Sequence, residues 1–504
     1  MASENFGDYY CIISWKREEA KWRSRKSQEG TIPLMSKDMN FHVHFMKREI
    51  EEFRKTPVRY DCDVVVCGGG TAGFTAALAA ARNGADTILV ERFGHVGGTL
   101  VNGAGPLHSF FNLYKAYAEA AKTQVVQGIP QEIVTRMMEA SGSPGHLEQD
   151  KGGNYDSAIT LIDWEIFKDV AFTMLEEAGV RILLHTVIAD VIKDGGRLEG
   201  IIIEGKSGRE AILARTVIDS TGDGDVAALA GAEFVKKHDT TSVGMPFGMT
   251  NVDMPRLVEF CREKGLVNQL IEGDKGSVTD HVIRLGFELK KVPEFTEFMG
   301  RTGMWGPLGF SLHEGEFTYI NSAALPSVDT TDTEAYSKAE IALRHQIMKL
   351  AAMLKQYIPG FEHAYVSWTP ASIGVRLTRI VECEYDLSLE DIVSGKRFGD
   401  EVYLYGFHDC APRITIQEGG YYGVPYRALL PKHVEGLLVA GRCITSTWEA
   451  HMSTRNTVSC MAQGQAAGTA AALCVKENIL PRDLNAEKLR KTLRSQGVFL
   501  GDAS

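Results

Sequence analysis

Asp63-Val64-Val65-Val66-Cys67-Gly68-Gly69-Gly70-Thr71-Ala72-Gly73 is the stretch whose reading decides the fold. The apolar run predicts a buried strand, and the alanine-rich segment from Thr71 to Ala81 predicts a helix. Between them the glycines fall at Gly68, Gly70 and Gly73, the G-x-G-x-x-G spacing. A side chain would spoil each position. Gly68 makes the tight turn, Gly70 admits a pyrophosphate to the backbone, and Gly73 lets helix and strand close up. The helix start adds free N–H groups and the positive end of a dipole. Thr87-Ile88-Leu89-Val90 predicts the next strand, ending on Glu91 at roughly the 20-residue spacing of a ribose-binding carboxylate. A glycine triplet alone is a weak signal. Strand, turn, helix, strand and terminal acid in this order form the context the motif requires, and they predict a dinucleotide site on an α/β framework.

Working outward, Gly97-Gly98 permits a second close backbone approach. Residues 111–139 read as helical and 141–157 as a loop. Asp163 is placed to cap a helix running to Glu177. Three strands near 181–193, 198–204 and 209–219 predict a β-meander forming a side layer to the main parallel sheet. The last ends in Asp219-Ser220-Thr221-Gly222-Asp223-Gly224-Asp225. Read as a calcium loop starting at Asp219, this run needs a bidentate Glu at its twelfth position and has Ala230 there. A strand-end turn bringing backbone amides and Asp223 to a cofactor fits instead.

Far along the chain, Gly436 to Val439 predicts another buried strand, closing on Ala440-Gly441-Arg442. Glu449 to Cys474 then reads as a loop feeding a long helix. Gly464, Ala467, Gly468 and Ala471 lie at helical spacing on it, a stripe that admits another backbone or a flat ring. Residues 236–425 hold no second G-x-G-x-x-G. They are expected to be an α+β substrate domain inserted into the cofactor domain, which comprises 58–235 and 426–504. The aromatic clusters Tyr403 to His408 and Tyr421 to Tyr426 read either as core or as a wall against a flat substrate. Residues 1–57 form a polar arm whose basic cluster, Lys21 to Lys26, is interleaved with acids nearby and reads as a solvated face or a packing arm.

The 504 residues are enough for two or more cores. A formal net charge of −11 argues against a nucleic-acid-binding role. None of the nine cysteines forms C-x-x-C, so no zinc ribbon, iron–sulfur run or redox dithiol is expected, and no metal. With no apolar leader and no run of ~18 apolar residues, the expectation is a cytoplasmic protein with no membrane contact.

Tyr60 to Gly70, Glu91 to Gly98, Val217 to Asp225, Ile373 to Arg379 and Gly436 to Leu473 resemble the corresponding pieces of the glutathione-reductase-like superfamily of FAD-dependent oxidoreductases. Within it, the chain is most similar to the bacterial family called FAD-dependent oxidoreductase, distant kin of the fumarate reductase flavoproteins. The resemblance covers most of the chain from about residue 45. It implies a Rossmann-like FAD-binding domain with the β-meander and the insert. FAD would be lined by Gly68, Gly70, Gly73, Glu91, Arg92, Gly98 and Asp223, with Arg442 and the loop before the last long helix. Neighbouring positions Thr71, Ala72, Gly97, Thr99, Gly222, Gly441 and Arg455 complete the expected cofactor surroundings. The family has hydrophobic residues where Cys67 stands, a departure without clear consequence.

Flavin chemistry needs a hydride moved to or from N5 and a proton moved on the substrate. His451, ahead of the long helix, is the first candidate to handle that proton. His408 is the second, and Arg455 is placed to hold a carboxylate or polarise a carbonyl. If the helix start near Thr454 to Asn456 faces the flavin's pyrimidine side, its dipole favours the reduced form. The expected activity is dehydrogenation or oxidation of a CH–OH, CH–NH or CH–CH unit in a small polar or aromatic metabolite. Alternatives are reduction of an activated double bond, a flavin-bearing isomerase or lyase, a nicotinamide-binding protein, and an electron-transfer subunit. Lacking a second dinucleotide motif, the chain is expected to pass electrons to oxygen, a carrier protein or a second substrate, and a homo-oligomer is compatible with the arm.

Overall fold

The computed structural model describes residues 54–102, 122–148, 158–237, 241–275, 278–406 and 414–501, and all features below belong to the unit formed by residues 56–504. The candidate His408, most of the expected arm, residues 103–121 and residues 149–157 of the expected 141–157 loop lie outside the described residues.

β1 (Val58–Cys67) is the central strand. Val64, Val65, Val66 and Cys67 are fully buried, as a strand covered on both faces requires. The glycine turn leads into α1 (Thr71–Arg82), which returns the chain to β2 (Thr87–Val90), parallel to β1 with Val64 opposite Thr87. Asp163 caps α2 (Trp164–Glu177) by accepting from Glu165 N at 3.0 Å and Ile166 N at 3.4 Å. β3 (Arg181–Leu183) then extends the parallel sheet beyond β2.

The meander departs from its expected form. The segment 181–193 is two strands, because His185 takes a left-handed φ of 52° and turns the chain after β3. β4 (Val187–Asp194) and β5 (Arg197–Gly205) do run antiparallel, and β6 (Gly208–Asp219) pairs antiparallel with β5. Yet β6 also pairs parallel with β1 along its length, Val65 opposite Val217. The meander is therefore continuous with the main sheet and not a separate layer.

Between residues 243 and 375 a second core forms. β7 (Ser242–Thr250), β8 (Val267–Lys275), β9 (Val278–Phe287), β10 (Leu308–Ser311) and β11 (Glu316–Pro326) join an antiparallel sheet. α3 (Thr333–Tyr357) packs across it and β12 (Tyr365–Trp368) closes its edge, giving the order β8-β9-β10-β11-β7-β12. Residues from Val381 onward rejoin the first core, so this second core is shorter than the 236–425 stretch. Tyr403, Tyr405 and Tyr422, on β13 (Glu401–Tyr405) and β14 (Tyr422–Pro425), are buried in the first core, which decides those aromatics for packing.

β15 (Leu437–Val439) completes the main sheet beside the end of β6, Leu437 opposite Val217. A short helix α4 (Trp448–Thr454) precedes α5 (Thr457–Glu477), which lies against α1. A Cβ on Gly464 would overlap the Ala72 carbonyl oxygen, and one on Gly468 that of Ala76. Thr75 Oγ1 donates across this seam to Met461 O at 2.8 Å. The small-residue stripe thus serves backbone-to-backbone helix packing.

Candidate functional site

β1, β2, β6 and β15 all end at one edge, and their carboxyl ends release Gly68, Glu91, Ser220 and Gly441 around a single cavity of about 530 Å³. The sequence path leaves β1 toward β2 on one side while β6 lies on the other, the switch point where open α/β sheets hold ligands.

The turn is locked by contacts a side chain would forbid. Gly68 has φ +93°, and a Cβ there would sit 2.8 Å from Ser220 O. A Cβ on Gly73 would overlap the Gly68 carbonyl. Gly70 is different: its φ is −62°, and it leaves open space beside Gly98 rather than avoiding strain. Glu91 is 5% exposed and braces the turn itself, accepting from Gly69 N at 2.6 Å and Phe93 N at 2.9 Å. Each carboxylate oxygen keeps a lone pair for a ribose hydroxyl.

Asp219, fully buried, accepts from Thr221 N, Thr221 Oγ1 and Ala227 N, shaping the loop after β6. Burial raises its carboxyl to about 6 against those hydrogen bonds. Asp223 Oδ1 then accepts from Thr378 Oγ1 at 2.7 Å and pairs with Arg442 Nη2 at 3.2 Å. Arg379 donates to the Asp223 carbonyl and to Asp225 Oδ1. Gly222, at φ +82°, lets the Arg442 guanidinium pass where a Cβ would be 2.7 Å from Nη2.

Thirteen of the expected cofactor residues line this cavity: Gly68, Gly70, Thr71, Ala72, Glu91, Arg92, Gly98, Thr99, Gly222, Asp223, Gly441, Arg442 and Arg455. Gly73 and Gly97 stand outside it and act through packing, Gly97 by donating to Gly69 O at 2.8 Å and lying against Phe167. His451 is not on the wall. It is fully buried, and its Nε2 donates to the Arg376 carbonyl at 3.3 Å, which leaves Nδ1 bare and without a partner among the described residues. Burial first, then Arg455, pushes its pKa down to about 3, so the ring is neutral at pH 7.

Sequence reading missed several wall residues. Ser220 ties the loop to the turn by donating to the Cys67 and Gly68 carbonyls. Asn102, Tyr336, Ser372, Ile373 and Val375 come from the end of the Gly98 segment and from the second core. Val187 and Leu229 present 48% and 41% exposed apolar side chains on the same wall. Asn102 Nδ2, Arg379 Nε and Arg442 Nη1 are buried donors without an acceptor among the described residues, and all three residues line the cavity. Leaving a buried donor unpaired costs about 1–3 kcal/mol, so this cavity is built to receive acceptor oxygens. Backbone approach at the turn, surplus donors and exposed apolar side chains fit a flavin dinucleotide.

The family described as FAD dependent oxidoreductase matches residues 63–493. Among curated relatives, the chain is 27% identical to a digeranylgeranylglycerophospholipid reductase of Methanocaldococcus jannaschii, over 38% of this chain and 46% of that protein. It is 26% identical to a thiamine thiazole synthase of Methanococcus maripaludis over 32% of this chain and 56% of that protein. It spans about half the length of the curated relatives it matches. Among solved structures, a geranylgeranyl bacteriochlorophyll reductase-like protein from Thermoplasma acidophilum aligns over 87% of this chain and 84% of its own, at 14% identity and a TM-score of 0.43.

Proposed function

The chain belongs to the FAD dependent oxidoreductase family, and from that premise we propose that it dehydrogenates or oxidises a CH–OH, CH–NH or CH–CH unit of a small polar or aromatic metabolite. The cofactor is FAD, which supplies hydride acceptance at its flavin ring. The observation that carries the site assignment is the set of three buried donors without acceptors in one cavity, at Asn102, Arg379 and Arg442. Arg379 and Arg442 are held by Asp223 and Asp225, so their free N–H groups are fixed in direction before a ligand arrives.

The chain's own residues then divide the work. The glycine turn and the start of α1 hold the pyrophosphate, Glu91 the ribose, and Val187 with Leu229 the adenine. Tyr336, Ser372 and Ile373 bring the 243–375 stretch to the same cavity, which supports reading that core as the substrate-bearing part. Arg455 holds a substrate carboxylate or carbonyl. His451 handles a proton only if substrate reaches its bare Nδ1, and a His451→Ala variant with normal turnover and normal flavin content removes it from that role. No helix of the described residues is long and apolar enough to cross a membrane.

The test is anaerobic incubation of the purified holoprotein with a metabolite library while the flavin absorbance is followed. Bleaching that persists until oxygen or another acceptor is added supports dehydrogenation. Product formed with no bleaching, or with bleaching that reverses unaided, refutes it in favour of an isomerase or lyase.

A further inference from the structure

Gln463 lies in α5, fully buried, between two loops that reach the cavity from different parts of the chain. Its Oε1 accepts from Gly441 N at 2.7 Å. Its Nε2 donates to Thr454 O at 2.8 Å, with the Tyr403 hydroxyl at 3.1 Å and Ser459 Oγ at 3.3 Å as further acceptors. Tyr403 and Ser459 bond each other at 2.8 Å, so the amide sits in a closed polar network inside an otherwise apolar core. On one side of this amide stand the wall residues Gly441 and Arg442, and on the other Arg455, Thr457 and Cys460.

We infer that Gln463 is a positioning residue that sets the redox potential of the bound flavin, by fixing the Arg442 loop against the start of α5. The inference rests on FAD occupying this cavity. The first N–H groups of a 21-residue helix carry about half a positive charge. Donors and cations fixed where negative charge collects favour the reduced flavin over the oxidised one. Both arms of Gln463 control that geometry: one orients the peptide leading to Arg442, the other the turn from which α5 springs. The amide serves both at once, since Gly441 N needs an acceptor and Thr454 O needs a donor.

Four proteins test this: the wild type, Gln463→Met, Gln463→Glu and Gln465→Met. Met keeps the volume without the hydrogen bonds. Glu keeps the acceptor for Gly441 N and, once ionised, turns an acceptor toward the Thr454 carbonyl, so its potential is followed with rising pH because burial favours the protonated form. Gln465 is an equally buried glutamine of α5 that accepts from Ile129 N at 2.9 Å, off the cavity wall, and serves as the purely structural control. Flavin per chain, apoprotein melting and midpoint potential are measured on each. Gln463→Met is expected to lose about tenfold of the preference for reduced flavin, a fall of ~30 mV for a two-electron couple. Gln463→Glu falls at least as far, while Gln465→Met shifts melting and leaves the potential at the wild-type value. Flavin-loaded Gln463 variants with the wild-type potential overturn the inference. If neither Gln463 variant folds, Gln463→Asn, one methylene too short to span Gly441 N and Thr454 O together, takes their place, and an unchanged potential in that flavin-loaded variant overturns it equally. A folded wild type that takes up no flavin refutes the cavity assignment instead.

Discussion

Replacing Arg442 with Met is the sharpest test of how the cavity holds its cofactor. The side chain is 13% exposed, pairs through Nη2 with Asp223 Oδ1, and leaves Nη1 buried and unpaired among the described residues. A hydrogen bond to a charged group contributes about 1.5–3 kcal/mol, so losing the one Nη1 makes to FAD should raise the FAD dissociation constant by roughly 10- to 150-fold. The apoprotein should lose less. Removing one partner of a fully buried pair costs about 3–5 kcal/mol, but Asp223 keeps Thr378 and sits 14% exposed on a wall that water can reach. The substitution also removes an unpaired donor from the empty protein. FAD is added to deflavinated wild type and Arg442→Met while quenching of flavin fluorescence is followed, with melting of both apoproteins recorded alongside. Unchanged FAD affinity with a large drop in apoprotein melting would refute the reasoning and make Arg442 a clamp for Asp223 alone.

Further outcomes are expected. Gly68→Ala combines a left-handed backbone with a clash on Ser220 O, and should yield protein without bound flavin, read from the absorbance of the purified chain. Gly468→Val forces α5 off α1 and should cost about 1–3 kcal/mol in urea unfolding, with flavin loss secondary to it. His451 links stability to pH. Its folded pKa, about 3, lies below the ordinary 6.5, so the unfolded chain takes up the proton first as pH falls. Stability present above 6.5 should therefore decline toward pH 3, at up to ~1.4 kcal/mol per pH unit, and His451→Phe should flatten that slope in urea titrations. For Asp163, burial raises the carboxyl, but His313 and the amides of Ile166 and Glu165 together hold it below the usual range. Its contribution should thus persist above the ordinary Asp value and vanish only as pH falls through the lowered one, and Asp163→Asn should remove that acid-side loss of melting temperature.

The framework was legible because its signals are local. Val64 to Gly73 specifies strand, turn and helix through burial and glycine spacing, and thirteen of the fifteen expected cofactor residues reached the cavity. What escaped is what depends on partners distant in sequence. Gln463 reads as one more polar residue on an apolar helix until Gly441 and Thr454 are seen on either side of it. Asn102 and Ser372 become wall residues only when the second core swings against the glycine turn. Gly464 and Gly468 were ambiguous between a ring and a backbone, and the Ala72 and Ala76 carbonyls settle it. His451 stands just before α5 in the sequence, but one-dimensional position says nothing of depth, and the ring is buried off the wall. The third meander strand looked separable because alternation marks a strand without naming its neighbours, and β6 turned out to have β1 on one side and β5 and β15 on the other.

Thr75 reaching Met461, and Val217 lying opposite Leu437, bear on synthesis as well as on packing. A nascent chain makes Gly68 and its glycine turn long before Gly441, on the opposite jaw of the cavity, is added. Until then the open edge of β6 and the bare flank of α1 must wait without their partners. FAD can therefore meet a complete site only once both jaws have been made. A transcript truncated before residue 436 should give a chain that never turns yellow, however much flavin is supplied.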